Sequence, residues 1–227
     1  MSANRESANG SGTLAEQAYR VLKQAILRGE FAEGAFLSEA DVLARFRVGR
    51  TPFREACNRL HNEKLLEAVP RRGYLVPEVS FRTVRDLIEA RLILEGIAAE
   101  LAAQRAEPAD IAMFEQLYKK VLAHTRNGAN LDEIVQANTE FHLHLARMAH
   151  NRELETMLRG VLERSTRLFY LTVRSSTTLA ADAKELLGPI VESVRSKDAV
   201  AAHKAVVRDI TRGQMNVFGR DLWEKAR

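Results

Sequence analysis

Two sets of residues in this chain have the types and spacing to do chemistry. The first is basic. Arg50 and Arg54 lie four residues apart, so on a helix they share one face. A guanidinium is a planar fork of donors suited to guanine O6 and N7 or to a phosphate. From Arg45 to Arg72 there are eight basic and three acidic residues, a local excess of +5 against +4 for the whole chain. Positive charge concentrated in this way suits a nucleic-acid backbone. Arg45, Thr51, Arg71 and Arg72 extend the candidate surface. Thr51 has a hydroxyl to donate to a phosphate. Arg71 and Arg72 precede Gly73, a residue that permits a tight turn, and a hairpin tip there reaches a minor groove or a phosphate.

The second set is polar but falls on apolar helical rows. Between residues 81 and 105 the row runs Val84, Leu87, Ile88, Arg91, Leu94, Ala98, Leu101, so Arg91 points inward. Between 131 and 149 it runs Leu131, Ile134, Val135, Asn138, Phe141, His142, Leu145, which places Asn138 and His142 inside. Asp209 sits on the row Ala202, Val206, Asp209, Gly213, Val217. An unpaired buried polar group costs about 1–3 kcal/mol, so several of them on separate helices imply a polar cavity with a ligand. Arg91 cannot shed its charge and is the expected anchor for an anion, most simply a carboxylate. Glu95, one turn later, is its internal competitor and joins the candidate site. His144 aligns with Glu140 and Arg147 and is expected to face solvent.

The elements that must position these groups are helical with one exception. Residues 13–28 carry apolar residues at amphipathic spacing, ended by Gly29. Ser38 followed by Asp41 resembles a capping box and opens a short helix to Phe46. Thr51-Pro52 reads as an N-cap with proline at the first helical position, opening a helix through His61. Residues 65–69 and 74–76 read as two short strands around the turn Pro70-Arg71-Arg72-Gly73. Three helices and a hairpin make a winged helix-turn-helix over 13–77, and 78–80 is a linker. Over 81–227, helices are expected at 81–105, 108–127, 131–149, 151–173, 180–196 and 199–219. The fold class is therefore mainly α: a winged helix-turn-helix (three helices plus a two-stranded wing), then an all-α bundle.

Several stretches carry a family resemblance. The run GRTPFREACNRL (49–60) resembles the recognition-helix signature of the GntR family of transcription regulators. LSEADVLARFRV (37–48) and LLEAVPRRGYLV (65–76) resemble the helix before it and the wing after it. EARLILEGIAAELAA (89–103), NTEFHLHLARMAHN (138–151) and IVESVRSKDAVAAHKAVVRDI (190–210) resemble the FCD effector domain of the FadR-like branch. The resemblance implies a homodimer that binds a palindromic double-stranded DNA operator through Arg50, Thr51, Arg54, Arg71, Arg72 and Arg45. It also implies a small-molecule effector bound by Arg91, Glu95, Asn138, His142 and Asp209, with repression lifted when an organic acid binds. Gly49 departs from the family's usual serine, leaving Thr51 to take over the cap. Many FCD domains hold a divalent cation with one Asp and three His. The matching positions here are Asn138, His142, Leu187 and Asp209, an incomplete ligand set, so no metal or other cofactor is expected.

Composition excludes other classes. No run of about 18 apolar residues occurs, so no membrane span is expected. Residues 1–12, rich in Ser, Asn, Gly and Ala, are expected to be a disordered tail and not a signal peptide. The single cysteine, Cys57, has no intramolecular partner and fits a reducing cytoplasm. No nucleophile elbow, phosphate-binding glycine loop or HExxH is present, so an enzyme using His142 and Asp209 is the weaker alternative. An architectural DNA-binding protein with a structural helical domain is the other.

Overall fold

The computed structural model describes residues 13–126, 130–173 and 183–218. The expected tail at 1–12 lies outside these residues, as do 127, 180–182 and 219 at the ends of expected helices. The chain divides into two compact units, 1–78 and 79–227.

In the first unit, α1 (Leu14–Leu27), α2 (Glu39–Phe46) and α3 (Arg50–Asn62) precede β1 (Glu67–Val69) and β2 (Gly73–Leu75). Thr13 and Ser38 cap α1 and α2 by accepting the backbone N–H of Glu16 and Asp41. The apolar faces of α1 and α3 pack together, burying Ala18, Leu22 and Ile26 against Phe53, Ala56, Cys57 and Leu60. Between α2 and α3 the chain reverses through Arg47, whose φ of 52° is left-handed. The strands pair antiparallel with Glu67 opposite Leu75 and Val69 opposite Gly73. Arg71 (φ 62°) and Gly73 (φ 96°) make the turn between them. Leu65 and Leu66 precede β1 as fully buried core residues and are not part of the strand.

The start of α3 corrects the expected cap. Gly49, not Thr51, is the N-cap, and it supplies no side-chain hydrogen bond. Its carbonyl accepts the Phe53 N–H at 3.0 Å, so the helix begins at Arg50, two residues before the expected start. Pro52 then falls at the third helical position. A first-turn N–H has no partner within the helix, so its absence there costs no helical bond.

The second unit holds α4 (Phe81–Arg105), α5 (Pro108–Arg126), α6 (Leu131–Met148), α7 (Arg152–Val173), α8 (Ala183–Arg195) and α9 (Ala199–Phe218). Ser80 caps α4, and Asn130 with Glu133 forms a full capping box on α6. α4 is central: it packs against α6, α7, α8 and α9. Its inner residues meet Phe114, Phe141, Ile190 and Val206 in one core, where the Phe114 and Phe141 rings stack at 4.3 Å. Among the described residues no helix is long and apolar enough to cross a membrane.

His144 does not face solvent. It is buried, with Nε2 2.9 Å from the Asp110 carbonyl oxygen at the start of α5. α6 is covered by α5 on one side and by α4 and α7 on others, so only a narrow strip of it, with Glu140 and Arg147, stays exposed. A single-helix projection has no way to register that second covering.

Candidate functional site

On α3, Arg50 and Arg54 are 81% and 67% exposed and turn to the same side, each within reach of a Glu39 oxygen at 3.4 and 3.6 Å. Thr51 is also exposed. Beneath them Phe53, Ala56, Cys57 and Leu60 anchor the helix in the core, so its outer face is presented on a rigid support. Burial first, and the Glu39 charge second, push the Cys57 thiol up to about 12, which makes it an inert core residue. Arg71 and Arg72 are exposed at the turn between β1 and β2, with the Arg72 guanidinium over the Phe36 ring at 4.2 Å. Arg45 is differently placed. It pairs with Glu30 and lies over the rings of Phe31 and Phe46 at 5.7 and 4.8 Å, so it is held by its own unit before any partner arrives.

In the helical unit the inward polar residues are drawn together. Arg91 Nε donates to Glu95 Oε1 at 2.6 Å. Glu95 Oε2 lies 2.8 Å from His142 Nδ1, and His142 Nε2 lies 3.5 Å from Asp209 Oδ2. The Glu95–His142 approach is close but off-axis. Neither atom has a partner that meets the full angular requirement of a hydrogen bond. Beside this chain lies a cavity of about 50 Å³ lined by Arg91, Asn138, Thr139, His142, Ser165 and Thr166, with an apolar wall including Leu162 and Phe169. Asn138 lines the cavity. Glu95 and Asp209 do not line it, and they touch it only through Arg91 and His142. Thr139, Ser165 and Thr166 escaped the sequence reading because short hydroxyl side chains on α6 and α7 leave no mark in apolar periodicity. Ser165 and Thr166 bond back to the Val161 and Leu162 carbonyls, which satisfies them locally.

The charges of this chain are unequal in their settings. Burial would raise the Glu95 carboxyl, but Arg91 and then His142 outweigh it and hold the group down at about 2. Asp209 is raised, chiefly by burial, with Glu95 adding to the rise and His142 and Arg91 opposing it. The arrangement does not fit a divalent cation. Leu187 is 2% exposed within the apolar core. The His142 nitrogens already face carboxylates, and the Arg91 guanidinium supplies the positive charge beside them. Among the described residues no three His, Cys, Asp or Glu side chains are grouped to hold a metal.

Two outcomes follow for measurement. Because Glu95 sits below its ordinary 4.5, its stabilising contribution is full above pH 4.5 and is lost as pH falls toward 2. That contribution is about 3 kcal/mol at neutral pH, and Asp209, shifted the other way, offsets part of the loss. In urea denaturation the stability gap between wild type and Glu95→Gln should therefore shrink between pH 6 and pH 3, and a gap constant with pH would refute the pairing. Elemental analysis of protein purified without metal resin or chelator should find well below one zinc or nickel per chain. A stoichiometric metal that is lost in His142→Ala would show that the donor set has been misjudged.

Comparison with known proteins agrees with both halves. Residues 14–76 match the family described as bacterial regulatory proteins, gntR family, and residues 86–212 match the FCD domain. The HTH-type transcriptional regulator YdhC of Bacillus subtilis is 31% identical over 64% of this chain, a match spanning 65% of that relative, just under two thirds of its length. The HTH-type transcriptional repressor RspR of Escherichia coli is 33% identical over 59% of this chain and 58% of its own. Among solved structures, E. coli McbR/YncC superposes with a TM-score of 0.78 over 96% of this chain and all of that one, at 21% identity, a likeness of fold. With a winged helix that presents paired arginines and an all-helical unit holding a small cavity of mixed polar and apolar lining, the chain belongs to the gntR family of bacterial transcription regulators, in the group with an FCD domain.

Proposed function

We propose that this regulator is a cytoplasmic repressor that grips a two-fold operator as a homodimer and is released by a small organic acid seated against Arg91. The observation that carries the reading is the state of Arg91. Among the described residues its one side-chain hydrogen bond leaves from Nε to Glu95, while the residue lines the cavity. The two terminal nitrogens are the edge of the guanidinium that meets a carboxylate bidentately. Asn138, Thr139, Ser165 and Thr166 supply neutral polar contacts for the rest of the ligand. The cavity is small beside the roughly 300–1,000 Å³ of typical ligand pockets. The effector is accordingly a compact acid, or its entry parts α4, α6 and α7. The repressor RspR among the relatives supports the direction of the response.

Release requires that the effector bind one arrangement of the helical unit better than the other, by as much free energy as the DNA affinity it removes. A homodimer follows from the operator, since one winged helix reads few bases and a two-fold site needs two of them. Arg50, Thr51, Arg54, Arg71 and Arg72 face DNA in this reading, with Arg45 contributing only if it exchanges Glu30 for a phosphate.

The experiment screens short mono- and dicarboxylic acids by thermal shift, since a ligand of the native state raises apparent stability. Operator release by each hit is then followed by fluorescence anisotropy. Arg91→Ala leaves Glu95 buried without its cation and should cost about 3–5 kcal/mol in stability, so Arg91→Lys is the cleaner variant. It keeps the charge and loses the fork. It should bind operator within twofold of wild type and need at least about tenfold more acid for release. Release at the wild-type concentration would refute the anchor. In light scattering the protein should show twice the chain mass at micromolar concentration, and a monomer both with and without operator would refute the mechanism.

A further inference from the structure

The two arginines of α3 are tied to a residue on another helix. Glu39, the first residue of α2, places Oε1 3.4 Å from Arg50 Nε and Oε2 3.6 Å from Arg54 Nη2, one oxygen to each guanidinium. Its side chain is 34% exposed, far less than either arginine. The start of its helix is fixed. Ser38 caps α2, and a carboxylate in the first turn is favoured by the helix dipole. α3 itself has no acidic residue in its first turn, so the carboxylate that reaches both arginines comes from α2. These contacts are long and largely exposed, and such pairs add little to stability. Their effect is on direction: a long arginine side chain samples many rotamers, and a carboxylate shared between two of them narrows the choice.

We propose that Glu39 is a positioning residue for sequence reading, holding the Arg50 and Arg54 forks side by side on the outer face of α3 so that they meet base edges and do not collapse onto the nearest phosphate. The proposal rests on those two arginines facing bases. A carboxylate at this place also repels the phosphate backbone. It weakens binding to every sequence alike, and the alignment it imposes favours one sequence. Loss of the charge should therefore move the two kinds of binding in opposite directions, which damage to the fold cannot do.

The test uses the full chain and fluorescence anisotropy with two duplexes: one selected by the wild-type protein from a randomised pool, and a scrambled duplex of the same composition. In Glu39→Gln the specificity ratio, scrambled Kd over selected Kd, should fall about tenfold while scrambled binding stays equal or tightens. Arg50→Ala and Arg54→Ala should each lower the ratio, and adding Glu39→Gln to the double Arg50→Ala, Arg54→Ala variant should change it less than about twofold. Glu39→Asp, which keeps the charge and the helix start but withdraws the carboxylate by one methylene, should be intermediate. It serves as the deciding variant if Glu39→Gln does not fold. An unchanged ratio in the Glu39 variants while the arginine variants lower it overturns the positioning role alone. A parallel loss of both affinities in Glu39→Gln overturns it as well. An unchanged ratio in both arginine variants overturns the base-reading assignment and this proposal with it.

Discussion

A carboxylate buried in the middle of α4 sets the terms for the helical unit. Glu95 is 1% exposed and ionised, and a lone charge there is not sustainable. Its partners come from two places: Arg91 one turn earlier on the same helix, and His142 on α6, behind which stands Asp209 on α9. The charge thereby links three helices that also share the apolar core. Buried ion pairs of this kind contribute little net stability against an apolar replacement, but removing one member is costly. They act as a constraint on arrangement. The arrangement of α4, α6 and α9 is thus tied to the balance of charge around Glu95.

The first unit solves the opposite problem, too much positive charge on a small surface. Part of the basic run is tied up internally. Arg45 is paired with Glu30, and Arg59 with Glu16 while lying 3.6 Å above the Tyr19 ring. What remains presented is a smaller group on the outer face of α3 and at the strand turn, backed by a fully buried core.

Much of this was legible in the residues. Helical periodicity located eight of the nine helices among the described residues to within a residue or two at each described end, because the repeat is a local property of the chain. The exception in detail was the start of α3, where proline and threonine advertised a cap that the chain placed at Gly49. The ninth, α8, begins within the described residues at Ala183. The same periodicity put Arg91, Asn138 and His142 on inward rows, and the structure brings all three to one cavity. Where a helix has two covered sides the projection failed, as at His144 on α6.

The sequence by itself determined the mainly helical class, the winged helix-turn-helix followed by an all-helical region, the pairing of Arg50 with Arg54 on one face, and the inward direction of the polar residues. Each of these follows from spacing along one element. Tertiary structure alone decided that Glu95 would stand behind Arg91 and against His142 instead of lining the cavity. It alone decided that hydroxyls from α6 and α7 would complete the wall, that Arg45 would be spent on Glu30, and that Glu39 would bridge the two arginines of α3. The reason is one of range. Backbone periodicity fixes which way a side chain points within its own helix, whereas the identity of what it meets depends on packing between elements distant in the chain.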